Sequence, residues 1–504
     1  MARPRPVTER ELVVAIDLGT SACKVVVFDR FGQRISYGRS PYSSLTDPSG
    51  GVEQAPRIWW GAVQNAIRIS GVRRYGKRIV GYCVSSLRAA VLPVDTRGRP
   101  LANGILASDL RAEKEARGLA EQFGERYLYE KTGLRVSSYV SLARILWLNN
   151  NKPDIAARAA KLLGAQDYII YKLTGRMVTD SAHASRTMCF NIHTKAWDTE
   201  IMGISGLSGE LLPDIVNPGS VVGELHSAAR RALDIPTAPV VACGGDQMCA
   251  SVGLGGTIPG QVTINHGTGS FIEKSIAEPV LDEGGSSLCS IHVVPNRWIQ
   301  EFPMLTTGRN LETLIKTLHG AKANFAALID TALSDFRNHS QSDCLLFLPY
   351  QAGSTAPHWN PQLSGAIWGL RSHHSAREVV RAFFESIAFD LLRCVQKLKQ
   401  WPREISVGGR LANLHKYNQL QADILGVPII RTEEAEATAL GSAVLGFVAL
   451  GFHSTPENAV RAMVRRVRSS CCRPRGRKRA MYQRLFDAHE RLLEMVLERS
   501  KGLR

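Results

Sequence analysis

The chain has 504 residues, 44% of them hydrophobic, and its 62 Lys and Arg against 45 Asp and Glu give a net charge of +17. This length exceeds what one hydrophobic core usually supports, so two large globular domains are expected. No stretch offers ~20 uninterrupted apolar residues, and the N-terminal sequence MARPRPVTERELVV lacks the apolar segment of a signal peptide. These features argue against a membrane protein and predict a cytoplasmic location.

Residues 13–29, VVAIDLGTSACKVVVFD, predict an apolar strand ending in Asp17, a tight turn, and a second apolar strand that carries Lys24. Such a hairpin is suited to phosphate, since Asp17 is placed to bind hydrated Mg²⁺ and Gly19 lets a phosphate approach the backbone N–H groups. The side chains expected to contact phosphoryl oxygens are those of Thr20, Ser21 and Lys24. From these residues alone, an ordinary β-hairpin remains the alternative.

Strands and helices alternate after this hairpin. Predicted helices begin at Pro56 and cover 110–124, 139–150 and 153–173. A buried strand at 239–246 ends in glycines and Asp246. The pattern then restarts, because 261–275, QVTINHGTGSFIEKS, again predicts strand, Gly-Thr-Gly turn and strand, which indicates two domains of related design.

The densest Gly/Pro break in the middle of the chain, GLGGTIPG, separates the two patterns. Beyond it a long amphipathic helix is predicted at 375–400, a strand at 404–409 and an apolar helix at 439–451 that is too short to cross a bilayer. The expected division is an N-terminal extension at 1–10, a first domain at 11–250, a second domain at 251–455, and a basic linker with a C-terminal helix at 456–504.

Part of the positive charge is concentrated at 461–479, a segment with nine basic residues and no acidic one. No aromatic side chains alternate with these charges, so a solvated basic linker is favoured over a nucleic-acid site. The ten cysteines show neither CxxC nor Cys/His ligand spacing, and we expect reduced thiols.

Neither a GxxxxGK[ST] motif nor a well-placed GxGxxG motif is present, which argues against a P-loop or Rossmann nucleotide site. Two Gly-Thr hairpins, an isolated acid at a glycine-rich strand end and a late Gly-Gly strand exit are instead suited to bind a nucleotide between two lobes. In their order and spacing these segments resemble the FGGY family of carbohydrate kinases. The resemblance is carried by DLGTSACKVVVFD at 17–29, GGVEQAPRIWW at 50–60, TDSAHASRTMCFNIHTKAWD at 179–198, CGGDQ at 243–247, NHGTGSFIE at 265–273, GAIWGLRSHHSAREVVRAFFE at 365–385 and QADILGVPIIRTEEAEATALGSA at 421–443.

The resemblance covers roughly residues 11–452 and implies an α/β, two-lobed actin-like ATPase (ribonuclease H-like) fold with duplicated domains and the active site in the cleft. It implies ATP and Mg²⁺ as cofactors, and a sugar, ketose or polyol as the small molecule whose hydroxyl accepts the γ-phosphoryl group. It is also compatible with a homodimer.

The resemblance and the chemistry together assign the roles of the nucleotide half. Asp246 is the expected general base, since a carboxylate ionised at pH 7 can accept the proton of the attacking hydroxyl; capping of the following helix is the alternative. Asp17 is assigned to the metal. The predicted nucleotide-binding residues are Gly19, Thr20, Ser21 and Lys24 in the first loop, Gly267, Thr268, Gly269 and Gly308 around the second, and Gly408, Gly409 and Asn413 beside the adenine. A plain strand-to-helix turn is the alternative for the adenine segment.

The predicted acceptor site departs from the family. Arg88 matches the arginine of the Arg-Glu pair of glycerol kinases, but Ala89 stands at the glutamate position. Asp109 keeps the acid of the Trp-x-Asp-x-Arg pattern without its tryptophan, and Tyr139 matches a substrate-contacting tyrosine. Arg144 replaces the usual lysine of that segment. Arg88, Asp109, Tyr139 and Asp246 are the predicted substrate-binding residues; a structural salt bridge and packing group is the alternative for the first three.

These losses enlarge the predicted pocket and weaken the expectation of glycerol, because hydroxyl recognition depends on fully paired polar groups. Glycerol or another polyol, a pentulose, and a linear ketose like that of the autoinducer-2 kinases remain open as acceptors. Two other classes of function also remain open: a nucleotide-binding sensor that lost turnover, and a nucleic-acid-associated protein that uses the basic segment.

Overall fold

The structure is a computed structural model that describes residues 11–305, 307–320, 324–334, 345–351 and 353–502. The predicted N-terminal extension, 1–10, lies outside the described residues.

The strands of the first half are β1 (Leu12–Leu18), β2 (Ala22–Asp29), β3 (Arg34–Pro41), β4 (Leu45–Thr46), β5 (Val52–Gln54), β6 (Ile79–Ser86), β7 (Leu92–Val94), β8 (Gly104–Ile105), β9 (Lys161–Leu163), β10 (Val178–Asp180), β11 (Phe190–Asn191), β12 (Ala196–Trp197), β13 (Asp214–Val216), β14 (Ser220–Glu224) and β15 (Pro239–Gly245). Those of the second half are β16 (Val262–His266), β17 (Ser270–Ile276), β18 (Leu288–Ile291), β19 (Trp298–Met304), β20 (Leu346–Leu348), β21 (Ala366–Trp368), β22 (Ile405–Gly409) and β23 (Ile429–Arg431).

The helices of the first half are α1 (Pro56–Ser70), α2 (Glu113–Phe123), α3 (Glu125–Thr132), α4 (Ser141–Asn151), α5 (Pro153–Arg158), α6 (Ala165–Thr174), α7 (Ser181–Ala184), α8 (Thr199–Ile204), α9 (Ser227–Leu233) and α10 (Asp246–Gly253). Those of the second half are α11 (Gly308–His319), α12 (Phe325–Ser334), α13 (Ala376–Gln396), α14 (His415–Leu425), α15 (Ala437–Ala449), α16 (Pro456–Met463) and α17 (Gly476–Gly502).

Five strands of each six-stranded sheet share one topology, and the sixth strand, β14 or β18, lies at opposite edges of the two sheets. The first has the order β14-β15-β6-β1-β2-β3 and the second β18-β19-β17-β16-β22-β23. In each, the first two strands form an antiparallel hairpin, a third extends it antiparallel, and two later strands continue the sheet parallel to the first. The repeated strand-turn-strand pattern of the sequence is therefore one element of a duplicated fold.

The central strands of the first sheet are apolar along their whole length because both faces are covered. Every residue of β1 is buried. One face packs under α1 and α6, and the other packs under α10 and α15. Since α15 comes from the second half of the chain, the two halves share a core. The predicted domain boundaries at 250/251 and 455/456 stay a prediction.

The core of the second lobe is formed by the second sheet with α13, α14 and α17. Helix α13 begins with a capping box in which the Ser375 hydroxyl accepts a hydrogen bond from the Arg377 N–H and the Glu378 carboxylate accepts one from the Ser375 N–H at 2.8 Å. Helix α13 confirms the helix predicted at 375–400, although it ends at Gln396, and its sixteen buried residues all lie between positions 379 and 395.

Two predictions from the sequence differ from the structure. The helix predicted at 153–173 is interrupted: β9 pairs with β7, and Gly164 then precedes α6, whose Asp167 accepts a hydrogen bond from the Gly164 N–H at 2.6 Å. The sequence predicted one continuous helix because the alanines around this break are favourable in helices and do not interrupt the helical periodicity.

The basic segment 461–479 is not a free linker. Cys472 pairs with Ile429 at the edge of the second sheet, and the Arg475 guanidinium binds the Asp423 carboxylate at 2.5 Å. The remaining arginines with described side chains are mostly exposed.

Of the ten cysteines, the nine that are described are free thiols, and eight of these are buried. Among the described residues, no helix is both long and apolar enough to cross a membrane.

Candidate active site

The turn between β1 and β2 exposes the side chains of Thr20 and Ser21. Side chains from other segments bind its backbone carbonyls. Gln54 Nε2 donates to the Thr20 carbonyl at 2.7 Å, and the Tyr42 hydroxyl donates to the Gly19 carbonyl. The indole N–H of Trp59 in turn fixes Gln54 at 2.6 Å. The carbonyls of this turn are thereby tied back, which leaves its hydroxyls available to a ligand.

Asp17 and Lys24 face each other across β1 and β2. Asp17 Oδ1 is buried and accepts no hydrogen bond from any described residue. Burial raises the pKa of Asp17 to about 7, Lys24 opposes this, and the carboxylates of Asp246 and Glu436 add to it. The Lys24 ammonium binds Glu436 at 2.6 Å, just before α15. Lys24 therefore bridges the hairpin to the helix that arrives from the second half.

The second turn, between β16 and β17, exposes Gly267 and Thr268 and meets the N-terminus of α11. A Cβ on Gly308, the first residue of α11, would lie 2.4 Å from the Gly267 carbonyl oxygen. Only glycine permits this approach, which brings the unpaired N–H groups of the helix start to the turn. The predicted second phosphate loop and Gly308 are thus brought together.

The predicted adenine residues lie at the end of the neighbouring strand. Gly408 and Gly409 end β22, beside Asn265 and His266 of β16. Asn413 follows in a short 3₁₀ turn, where its side-chain oxygen accepts a hydrogen bond from Arg431 at 2.8 Å. The strand exit therefore adjoins the second turn, while Asn413 is held from the side of β23.

Asp246 is the first residue of α10, directly after β15. It is not the N-cap, which is Gly245; its Oδ1 accepts the Gln247 N–H at 2.8 Å. Burial raises the pKa of Asp246 above its ordinary value, and Arg88, whose Nε lies 3.7 Å from Asp246 Oδ1, opposes the shift. A carboxylate at a strand end, beside a cation and close to Asp17, is suited to accept a proton.

Arg88 extends across the cleft between the lobes. Its Nη1 and Nη2 contact the Glu301 carboxylate of β19 at 2.5 and 3.3 Å, and its guanidinium lies 5.7 Å from the centre of the Phe271 ring. The aliphatic part of Arg88 lies against the end of β15, where a Cβ on Gly245 would be 2.5 Å from its Cδ. Arg88 thus pairs with a glutamate from the opposite lobe, whereas the neighbouring position 89 holds an alanine.

A buried hydrogen-bond network supports the strand ends that carry Arg88 and Asp246. The imidazole of His183 joins Asp180 Oδ2 at 3.1 Å to Ser86 Oγ at 3.2 Å. Gln166 bridges Asp180, at 2.5 Å, to the Gly244 N–H, at 2.9 Å. Although its burial opposes the shift, the Asp180 carboxylate raises the pKa of His183. A continuous chain of hydrogen bonds therefore links the end of β6 to the end of β15.

Arg144 is fully buried in α4, and its guanidinium donates to the carbonyls of Ala107, Ser138, Ala89 and Tyr139. These carbonyls come from the three segments that carry the predicted acceptor residues. Burial lowers the pKa of Arg144 to about 9, so it still carries its charge at pH 7. The sequence flagged Arg144 only as a replacement for lysine; its long planar group reaches all three segments at once.

Asp109 and Tyr139 differ in their surroundings. Asp109 is buried, and its Oδ2 accepts hydrogen bonds from Arg111 at 2.6 Å and from the Val52 N–H at 2.8 Å. This arrangement favours the structural salt bridge that the sequence left open. The Tyr139 side chain is exposed, while its carbonyl is held by Arg144.

Within the described residues, no group of three or more His, Cys, Asp or Glu side chains is arranged to hold a metal ion by itself. Asp17, with its buried free oxygen and the nearby carboxylates of Asp246 and Glu436, still fits Mg²⁺. That ion commonly takes one or two carboxylates and completes its shell with water and substrate phosphates.

Comparison with known proteins gives matches over both halves of the chain. The N-terminal and C-terminal domain profiles of the FGGY family of carbohydrate kinases match residues 12–253 and 262–450. The chain is 31% identical to a glycerol kinase of Chromobacterium violaceum, covering 88% of this chain and 90% of that one, and 27% identical to a gluconokinase of Bacillus licheniformis, covering 87% and 88%. Its fold is similar to that of a xylulose kinase from Lactobacillus acidophilus, with a TM-score of 0.90, 25% identity, and coverage of 98% and 100%.

Proposed function

The chain belongs to the FGGY family of carbohydrate kinases, and we propose that this ATP-dependent kinase uses Asp246 as its general base and the two glycine turns as its phosphate clamp. The predicted family, fold class and kinase function are confirmed by both halves of the chain. The roles of individual residues are the proposal.

The reaction forms a bond between an acceptor hydroxyl oxygen and the γ-phosphorus of ATP and breaks the bond from that phosphorus to the β–γ bridging oxygen, which leaves with ADP. Asp246 accepts the hydroxyl proton as the bond forms. Its raised pKa supports this role, because a base is most effective when its pKa lies closer to the working pH. The observation that carries the assignment is the position of Asp246 between Arg88 and the Asp17 hairpin.

The exposed hydroxyls of Thr20 and Ser21 and the N-terminus of α11 beside Thr268 are placed to bind the phosphates. Asp17 would hold Mg²⁺, which supplies charge neutralisation on the β- and γ-phosphates when bound. Lys24, tied to Glu436, positions that helix start against the hairpin. Closure of the lobes would exclude water, which otherwise competes as acceptor.

The acceptor class follows from the pocket and the relatives. Relatives are named for glycerol, gluconate and xylulose, so the proposed acceptor is a small polyhydroxy compound bound between Arg88, Phe271 and Asp246. A cytoplasmic location and a homodimer stay predictions. No observation on the described residues favours the sensor or the nucleic-acid alternative, since Asp246 is in place and part of the basic segment is packed on the second sheet.

The test is ADP release by the purified protein with Mg²⁺, ATP and a panel of polyols, pentuloses, hexuloses and linear ketoses. We expect turnover with at least one of these acceptors and none when the divalent ion is chelated. Release of ADP that is independent of every acceptor would contradict the assignment.

A further inference from the structure

Glu301 and Arg88 form a buried ion pair that crosses the cleft beside the proposed base. The exposed fraction of the Glu301 side chain is 1% and that of Arg88 is 9%. The pair joins β19 of the second lobe to the loop after β6 of the first, and it lies within 3.7 Å of the Asp246 carboxylate. Any acceptor whose hydroxyl reaches Asp246 must therefore lie beside this pair.

We infer that Glu301 makes the acceptor site selective for an uncharged polyhydroxy compound over the corresponding sugar acid, because its carboxylate already occupies Arg88. This inference rests on the proposed kinase function and names the acceptor class of that same site.

The argument is a balance of charges among the groups that face the pair. Arg88 and Arg186 both contact Glu301, the latter at 3.6 Å, and Asp246 supplies a second negative charge. Glu273 lies directly across from Glu301 on β17, and burial together with the Glu301 charge raises the pKa of Glu273 well above its usual range, which favours its uncharged form. Two positive and two negative charges then cancel.

Other positively charged or titratable basic side chains near the site already have polar partners. Arg111 binds Asp109 and Glu53, the Nη1 and Nη2 groups of Arg144 donate to carbonyl oxygens, and His183 is paired with Asp180. A carboxylate on the acceptor would therefore add an uncompensated negative charge, or it would have to displace Glu301 from Arg88. A hydroxyl has neither cost, since it can donate to a carboxylate and accept from an arginine without changing the charge.

The experiment compares acceptors that differ only by a carboxylate in place of a hydroxymethyl group. The pairs are glycerol with D-glycerate, xylitol with D-xylonate, and D-glucitol with D-gluconate. Both kcat/KM, from ADP release, and the thermal stabilisation of the protein by each compound are measured. We expect the polyol to be favoured in each pair that gives a signal. A wild-type preference for a sugar acid would overturn the inference without any variant.

The variants remove the charge of Glu301 without letting Glu273 replace it. Glu273→Gln alone should keep the preference for the polyol, because the amide has the shape of the uncharged acid that burial favours at this position. Adding Glu301→Gln removes the carboxylate that binds the Nη groups of Arg88, and we expect the ratio to shift toward the sugar acid by roughly 10- to 100-fold, the usual range for a hydrogen bond to a charged group. An unchanged ratio in the folded double variant would overturn the inference.

The matched control is Glu404→Gln, which breaks an ion pair with Arg466 on the far side of the second lobe. It should leave the ratio as it is in the wild type. Absence of ADP release with every acceptor would remove the proposed kinase function, whereas thermal stabilisation by the same pairs would still decide whether Glu301 selects against the carboxylate.

Discussion

The nucleotide half of the cleft and the acceptor half are built in different ways. The nucleotide half uses the same strand-turn-strand element twice, once in each sheet, with exposed glycines and hydroxyls at the turns. The acceptor half is assembled once, from buried groups that are distant in sequence: Arg88 and Glu301 are 213 residues apart. In the proposed function, the duplicated element thus supplies the phosphate clamp, while selectivity is assigned to side chains that come together only once in the fold.

The largest effect is expected where the two halves meet. Asp246→Asn should lower kcat by about 10²–10⁴-fold, the usual contribution of a general base, while the Kd of ATP stays near the wild-type value. The steady-state rate of ADP release measures kcat, and an equilibrium nucleotide-binding assay measures the Kd of ATP. Asp234→Asn, at an exposed ion pair with Arg73, is the control and should have neither effect. Loss of ATP binding in Asp246→Asn would assign the residue to the nucleotide half instead.

The second test removes the group that gathers the acceptor segments. Arg144→Met leaves four carbonyls without their donor, so kcat/KM for the acceptor should fall by about 100-fold, mainly through KM, with ATP binding retained. Arg144→Lys should recover part of the loss, since lysine keeps the charge but not the planar fork. If both variants weaken ATP binding as much as acceptor binding, Arg144 does not act on the acceptor half alone, and this prediction is wrong.

A smaller and opposite effect is expected from the second phosphate turn. Gly308→Ala places a methyl group 2.4 Å from the Gly267 carbonyl oxygen, so α11 must move away. Overpacking of about 1–2 kcal/mol corresponds to roughly a 10-fold weaker Kd of ATP, with the acceptor preference unchanged. Gly118→Ala, where a Cβ would meet nothing within 4 Å, is the matched control. Equal effects of the two alanines would rule out a special role for Gly308.

The smallest effect concerns the network beneath the acceptor loop. Because Asp180 raises the pKa of His183 in the folded protein, this pair stabilises fully below the unfolded histidine value of ~6.5 and loses that stability as pH rises through the folded pKa. The melting temperature should therefore fall by a few degrees between pH 6 and pH 9. In His183→Gln the fall should be smaller; an identical pH profile would show that the pair does not titrate in this range.

The nucleotide half could be predicted from local sequence because its parts are contiguous: a strand, a Gly-Thr turn and a second strand. The strand ends at Asp246 and Gly409 were equally visible, since apolar runs followed by glycine mark where buried strands leave the core. Glu301, Arg144 and the His183–Asp180 pair were not assigned, because their roles depend on which distant segments the fold brings together. Glu301 carried no local signal beyond a charged residue inside an apolar strand, which burial makes costly unless it is paired.

The packing of α15 against the first sheet has a consequence for the nascent chain. The strands of that sheet are complete at residue 245 and α10 follows at once, but α15, which covers the same face beside α10, begins only at Ala437. At a synthesis rate of about 5–20 residues per second, roughly 10–40 s pass between completion of the sheet and synthesis of α15. During this time the part of the apolar face that α15 covers is exposed. The first half should therefore aggregate or recruit a chaperone when it is made alone, and joint expression with the second half as a separate chain should restore it.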